Sequence, residues 1–138
     1  MNHIMGWVLK SPFHALLSKQ MMLVTVTGRK SGKLISTPVA YLREGNTLWV
    51  VSNRESKWWR NLRGGVDVQV LVARQSLKGH GSVIEEEPAV AQRLFENFKM
   101  DTRGARFAKV KMDAPGQPNF ADCEQAAKTM VVTGIDIA

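Results

Sequence analysis

The chain has 138 residues, 44% of them hydrophobic, and a formal net charge of +7. This length predicts one domain over residues 1–138, with enough apolar side chains for a core and little room for a second domain. A single cysteine excludes an intramolecular disulfide and favours a reduced, cytoplasmic setting, and three dispersed histidines offer no metal-ligand spacing. No apolar run approaches the ~20 residues of a membrane span, and the N-terminus lacks the pattern of a signal peptide.

The positive charge is concentrated in the first half of the chain. Residues 1–63 contain ten basic and two acidic residues, whereas residues 64–138 contain nine and ten. The first half is therefore expected to attract an anionic ligand. Nucleic acid, an acidic membrane surface and a multiply charged cofactor all fit this charge, so composition leaves the three open.

The N-terminal third is predicted to contain a helix followed by a β-hairpin. Residues 3–19 place apolar side chains at near-helical spacing, with a helix-start signal at Ser11-Pro12. Runs of β-branched and apolar residues at 22–26 and 34–42 predict two strands. The connection over residues 27–33 is short, which predicts that the two strands are antiparallel.

This connection is the most informative motif of the chain. Its two glycines allow positive φ and a close approach of a ligand to the backbone, and the cations and hydroxyl between them can surround an anion such as a phosphate. The glycine spacing does not match a P-loop, and the dinucleotide fingerprint is absent. A solvated basic hairpin tip explains the turn alone equally well. The candidate anion-binding residues are Thr27, Gly28, Arg29, Lys30, Ser31 and Gly32.

The rest of the chain is predicted to alternate between strands and short helices. A main helix begins at Glu86-Glu87-Pro88, because acidic residues and proline suit a helix N-terminus. Its apolar stripe, which includes Phe95 and Phe98, is predicted to be core. The other predicted elements are strands at 47–52, 67–72, 76–85 and 129–137, a short helix at 56–63, a helical turn at 103–112 and a loop at 113–120.

About six strands in meander order, an N-terminal helix and a helical insertion before the last strand predict a mainly β, α+β fold. Hairpin-length links between consecutive strands favour a small antiparallel barrel over a doubly wound parallel sheet. His80, between two glycines in a turn-like stretch, is predicted to be exposed and without a role.

The segment from Leu23 to Val70 resembles the deazaflavin-dependent nitroreductase and quinone reductase family in its motifs, their order and their spacing. The matching motifs are T-V-T-G-R-K-S-G at 25–32, Thr37-Pro38, R-E-G at 43–45, V-V-S at 50–52 and W-W-R-N-L at 58–62. The resemblance implies the split β-barrel fold of flavin reductases and pyridoxamine-phosphate oxidases. It also implies an oxidoreductase that passes a hydride from the reduced deazaflavin coenzyme F420 to a small electrophile, namely a quinone, nitro compound or activated alkene.

The resemblance also assigns roles to individual residues. The cofactor phosphate falls on the basic turn, at Arg29, Lys30, Ser31 and Gly32. The deazaflavin ring falls on Thr37, Pro38, Val39, Ser52, Asn53, Trp58 and Asn61. Lys57 is a further candidate cation.

Two aromatic assignments stay open at this point. Trp58 and Trp59 would point about 100° apart on a helix, so at most one of them faces a ligand, and the motif favours Trp58. Tyr41 is a candidate proton donor, with an ordinary strand aromatic as the alternative.

Three alternatives remain beside this interpretation. Where the family often has a loop with two glycines, this chain has Asn53-Arg54-Glu55, and the loop before Trp58 is shorter than in many members, which leaves FMN open as the cofactor. Ala40 also departs from the family, which often has an aromatic residue there. A non-catalytic carrier of flavin, haem or lipid could use the same barrel. A nucleic-acid-binding barrel is disfavoured, because Trp49, Trp58 and Trp59 are expected to cluster near one pocket instead of along a groove. The fold further implies a homodimer, and the charge leaves a peripheral membrane contact open.

Overall fold

The structure, a computed structural model, describes residues 21–28, 31–73 and 75–137, and its main element is an antiparallel sheet. The strands of this sheet are β1 (Met21–Thr27), β2 (Leu34–Ala40), β3 (Leu42–Glu44), β4 (Thr47–Asn53), β5 (Val66–Val72), β6 (Gln75–Ile84) and β9 (Met130–Ile137). Two small strands, β7 (Met112–Ala114) and β8 (Gln117–Pro118), precede β9 in the chain. The order across the sheet is β2-β1-β5-β6-β9-β4-β3, and β7 and β8 form a separate hairpin.

Two α-helices and two 3₁₀ helices accompany the sheet. They are α1 (Glu87–Met100), α2 (Phe120–Ala126) and the 3₁₀ helices Trp58–Leu62 and Thr102–Gly104. The predicted start of α1 is confirmed, with proline in its first turn. The side chain of Asn119 accepts a hydrogen bond from the Asp122 backbone N–H and so caps α2. The predicted helix at 3–19 lies outside the described residues.

The strand order differs from the predicted meander. β9 lies between β6 and β4 instead of at an edge, and both of its faces are covered, one by the barrel core and the other by the α-helices. Val131 and Ile135 point into the barrel, whereas Val132 packs against the two α-helices. This two-sided burial explains why the last strand is apolar almost throughout.

The predicted strand at 34–42 is in fact two strands that separate at Tyr41. β2 pairs with β1, whereas β3 pairs with β4. The two edge strands of the sheet are therefore consecutive in the chain, and the sheet curls so that its edges approach each other. The predicted fold class, a split antiparallel β-barrel, is confirmed, and the split lies between β2 and β4.

The core has two main parts on the two sides of the sheet. Inside the barrel, apolar side chains of β1, β4, β5 and β9 pack against Trp58, Trp59 and Leu62 of the first 3₁₀ helix. Outside, α1 and α2 cover β4 and β9. A Cβ atom at Gly81 of β6 would lie 2.5 Å from Leu62 Cδ2, so the glycine makes room for the helix inside the barrel.

Two local predictions need correction. Residues 113–120 contain the β7–β8 hairpin instead of a loop alone, and α2 follows directly. His80 lies within β6 and not in a turn, but it is exposed as predicted, with its Nδ1 atom 3.0 Å from Asp67 Oδ1. Among the described helices, none is long and apolar enough to cross a lipid bilayer.

Replacing Thr133 of β9 by valine is expected to stabilise the protein by about 1–2 kcal/mol. Within the described residues, Thr133 Oγ1 is the one buried side-chain nitrogen or oxygen without a hydrogen-bond partner, and an unpaired buried hydroxyl is costly. The matched control is Thr25→Val, because the Thr25 hydroxyl is hydrogen-bonded to Ser36 Oγ at 2.8 Å and its loss should destabilise the fold. Urea unfolding of both variants checks this, and a destabilised Thr133→Val would contradict it.

Candidate functional site

A pocket of about 450 Å³ lies in the split of the barrel. One wall is the end of β2 with Tyr41, the facing wall is β4 with the first 3₁₀ helix, and the end of α1 with the segment after it closes a third side. The lining residues are Thr37, Pro38, Val39, Ala40, Tyr41, Leu42, Trp49, Val51, Ser52, Asn53, Ser56, Trp58, Asn97, Phe98, Asp101, Arg103, Gly104 and Phe107.

The structure brings many of the predicted site residues into this pocket. They are Thr37, Pro38, Val39, Tyr41, Ser52, Asn53 and Trp58. Lys57 is exposed and does not line it. Asn61 does not line it either, but its Nδ2 atom donates to the carbonyl of Trp58, which does, at 3.1 Å. Thr27 lines a different groove, together with Lys78 and His80.

Arg29 and Lys30 of the turn between β1 and β2 lie outside the described residues, and the described part of the turn, Gly28 and residues 31–33, does not line the pocket. The Gly28 N–H donates to the Lys33 carbonyl at 2.7 Å and closes the loop. Positive φ is confirmed for Gly32, at +68°, and is wrong for Gly28. Gly28 is instead needed for space, because a Cβ atom there would lie 2.8 Å from Ser31 Oγ.

The two neighbouring tryptophans have different surroundings. Trp58 lines the pocket, and its Nε1 atom donates to Ser52 Oγ at 3.3 Å. Trp59 is away from the pocket and 2% exposed, and its Nε1 atom donates to the Asn53 carbonyl at 3.0 Å. The pocket-facing tryptophan is therefore Trp58, the one that the motif favoured.

Trp49 forms a second aromatic wall, and its position depends on a glycine of the neighbouring strand. A Cβ atom at Gly134, its partner in β9, would lie 2.7 Å from Trp49 Cζ3. The ring therefore lies across β9 where a side chain would displace it. On its other side, the Arg93 guanidinium lies 4.3 Å from the ring centroid.

The wall from α1 and the following segment was missed by the sequence interpretation. Phe98 was predicted as core, and it is both buried and part of the pocket. Nothing in the local pattern indicated Asn97, Asp101, Arg103 or Phe107, because they reach the pocket only when α1 packs on the sheet.

The charged groups near the pocket are mostly compensated. Arg103 Nε donates to Asp101 Oδ2 at 2.8 Å, which lowers the pKa of the Asp101 carboxyl and raises that of Arg103. Neither Arg63 nor Glu85 lines the pocket, but they pair in the same way, and Arg63 lowers the pKa of the Glu85 carboxyl.

Two further groups with reactive or charged side chains, Arg54 and Cys123, have a role in the fold and not in the pocket. Arg54 donates to the carbonyls of Glu85 and Ala127, so its charge serves the fold. Burial raises the pKa of the Cys123 thiol to about 11, which makes it a poor nucleophile. Within the described residues, no cluster of metal-ligating side chains occurs.

Comparison with known proteins gives a family and a set of similar folds. A family model described as F420H2-dependent quinone reductase matches residues 11–113. An F420-H2 dependent reductase (FDR-A) has a TM-score of 0.55 at 18% identity, over 86% of this chain and 95% of that chain. The FAD and heme binding protein from Mycobacterium smegmatis has a TM-score of 0.57 at 18% identity, over 93% and 67%. A general stress FMN/FAD binding protein from Xanthomonas citri has a TM-score of 0.55 at 15% identity, over 89% and 78%.

At these identities the likeness to solved structures shows the fold alone, and no protein of curated function matches the chain. The curled antiparallel sheet with an aromatic-walled pocket in its split defines the class of split β-barrel proteins. Since the family model covers most of the chain, this protein belongs to the F420H2-dependent quinone reductase family. It is thus a deazaflavin-dependent oxidoreductase, with coenzyme F420 as its cofactor. The homodimer and the membrane contact stay predictions.

Proposed function

We propose that the protein passes a hydride from reduced coenzyme F420 to a quinone, with nitro compounds and activated alkenes as further acceptors. The observation that carries this proposal is the aromatic-walled pocket in the barrel split of a chain from this family. The coenzyme, when bound, supplies the hydride, so the protein itself needs no nucleophile.

The pocket residues fit a planar ring with polar edges. Pro38, Val39 and Trp58 offer apolar surface, and Thr37 and Asn53 offer hydrogen-bonding groups at the rim. The volume of about 450 Å³ lies within the range of small-molecule sites. These residues are proposed to hold the ring.

The basic turn is proposed to bind the phosphate and acidic tail of the cofactor. The turn and the pocket are connected by β2, since Thr37 follows Gly32 by five residues, a separation of about 17 Å in extended chain. A cofactor with a ring at one end and negative charge at the other can follow β2 between the two sites. Arg29 and Lys30 would then neutralise the charge, and the Ser31 hydroxyl would donate a hydrogen bond.

The protein contributes to catalysis by orientation and by exclusion of water. Trp49, Trp58 and Phe98 surround the space in which donor and acceptor meet, and a fixed geometry of the two lowers the entropic part of the barrier. Tyr41 lines the same pocket and is proposed as the group that can give a proton to the reduced product.

Anaerobic mixing of the protein with reduced F420 and menadione tests the proposed function. We expect many turnovers per protein molecule. The turnover is measured from the increase in absorbance of oxidised F420. A parallel titration with FMN is the control for cofactor identity, and tight FMN binding without F420 binding would favour the FMN alternative. Tight F420 binding without turnover of any quinone or nitro compound would favour a carrier.

A further inference from the structure

Asn97 is a buried polar residue of the pocket that the sequence did not indicate. It lies in the last turn of α1, is 2% exposed and lines the pocket. Within the described residues its side chain makes one hydrogen bond, in which Oδ1 accepts from Arg93 Nε at 3.0 Å.

This hydrogen bond determines which way the carboxamide faces. A guanidinium only donates, so the oxygen of Asn97 must face Arg93 and the NH₂ group must point away from it. Among the described residues, only Thr133 Oγ1 is a side-chain polar atom that is both fully buried and without a hydrogen-bond partner. Since Nδ2 of Asn97 also has no partner, it must be in contact with accessible space. The open space that Asn97 borders is the pocket, and Nδ2 is therefore a donor available to a ligand there.

Arg93 is itself held in place by two other groups. Its guanidinium lies over the Trp49 ring at 4.3 Å, and Nη2 lies 3.8 Å from Glu44 Oε1. The same Glu44 oxygen accepts from Trp49 Nε1 at 3.0 Å. Glu44, Trp49 and Arg93 thus form a fixed support for the Asn97 carboxamide, and Arg93 is a positioning residue.

We propose that Asn97 Nδ2 donates a hydrogen bond to the acceptor oxygen of the substrate, such as a quinone carbonyl or a nitro oxygen. This inference rests on the proposed function. A quinone that takes up a hydride gains two electrons and one proton and becomes a hydroquinone monoanion, while the cofactor is oxidised. A second proton, given by Tyr41 or by water, then completes the hydroquinone. A donor aimed at the oxygen where the negative charge develops stabilises the transition state more than the ground state.

The test compares Asn97→Asp with the matched control Gln92→Glu. Both changes turn an amide into a carboxylate on α1, but Gln92 is exposed and away from the pocket. The carboxylate introduced by Asn97→Asp can still accept from Arg93 and has lost the donor. We expect kcat/KM for menadione to fall about 100- to 1000-fold in Asn97→Asp, and to stay at the wild-type value in Gln92→Glu.

A second measurement does not depend on turnover. Quenching of tryptophan fluorescence gives the menadione Kd of the cofactor-free protein, and we expect it to rise about 10-fold in Asn97→Asp. The F420 Kd of the variant should stay within about 3-fold of the wild-type value, because a typical neutral hydrogen bond to the cofactor would change it by more than this. If Asn97→Asp does not fold by circular dichroism, Asn97→Ser, which lacks the oriented NH₂ group, takes its place.

Two results would overturn the proposal. One is an active wild type whose menadione Kd and kcat/KM equal those of the variant. The other is a loss confined to F420 affinity, which would assign the donor to the cofactor. A wild type that turns over no acceptor is a failure of the proposed function and is recognised without any variant.

Discussion

Replacing Arg29 and Lys30 together by alanine is expected to weaken F420 binding about 10- to 1000-fold. Two charge-assisted contacts of ~1.5–3 kcal/mol each, partly screened by solvent and salt, give this range. The two residues lie between Gly28 and Gly32 in a loop that the Gly28–Lys33 hydrogen bond closes. A fluorescence titration with F420 at low salt measures the change.

The control for this double variant removes the same charge elsewhere. Lys111 and Lys128 are exposed, and neither lines the pocket. Their double alanine variant should bind F420 as the wild type does, apart from a small effect of net charge. An unchanged F420 Kd in the Arg29 and Lys30 variant would mean that the turn is a solvated hairpin tip and not the phosphate site.

Replacing Trp58 by alanine is expected to lower both the stability of the fold and the affinity for F420. Trp58 packs in the barrel core and is 9% exposed, so its truncation should cost about 3–5 kcal/mol of unfolding free energy. It also lines the pocket, and the loss of ring contact should cost roughly 1–3 kcal/mol of binding, by analogy with stacking of bases on aromatic side chains. Urea unfolding and an F420 titration at low temperature measure the two effects separately.

Trp59→Ala is the matched control for the second effect. Trp59 is buried in the same core and does not line the pocket. It should lose a similar amount of stability, and its folded fraction should bind F420 normally. Equal losses of affinity in both variants would show that the effect of Trp58 is transmitted through the fold instead of by contact with the cofactor.

Local patterns in the sequence were sufficient for most strands and for the start of α1. In β5 and β6, apolar and polar side chains alternate or the strand is bounded by turn residues, and such signals lie within a few neighbouring residues. Alternation could not show where Tyr41 interrupts the strand at 34–42, because the break depends on which partner each half finds. The short α2 was missed because seven residues give too little periodicity.

The position of β9 could not be predicted from local pattern. Its apolar run shows burial on both faces, but the choice of β4 and β6 as neighbours depends on pairings over a long sequence separation. The meander prediction followed from the rule that consecutive strands pair, and β9 is an exception to that rule.

The sequence by itself determined the fold class, the family and the part of the pocket that lies between Thr37 and Trp58, because those residues form one run of motifs. Only the tertiary structure decided which tryptophan faces the pocket and that Asn97, Asp101 and Arg103 complete it. Their positions result from the packing of α1 over Trp49. This packing is possible because Gly134 has no side chain that would displace the Trp49 ring. Such contacts join residues far apart in the chain, so the periodicity of hydrophobic residues within a short segment cannot predict them.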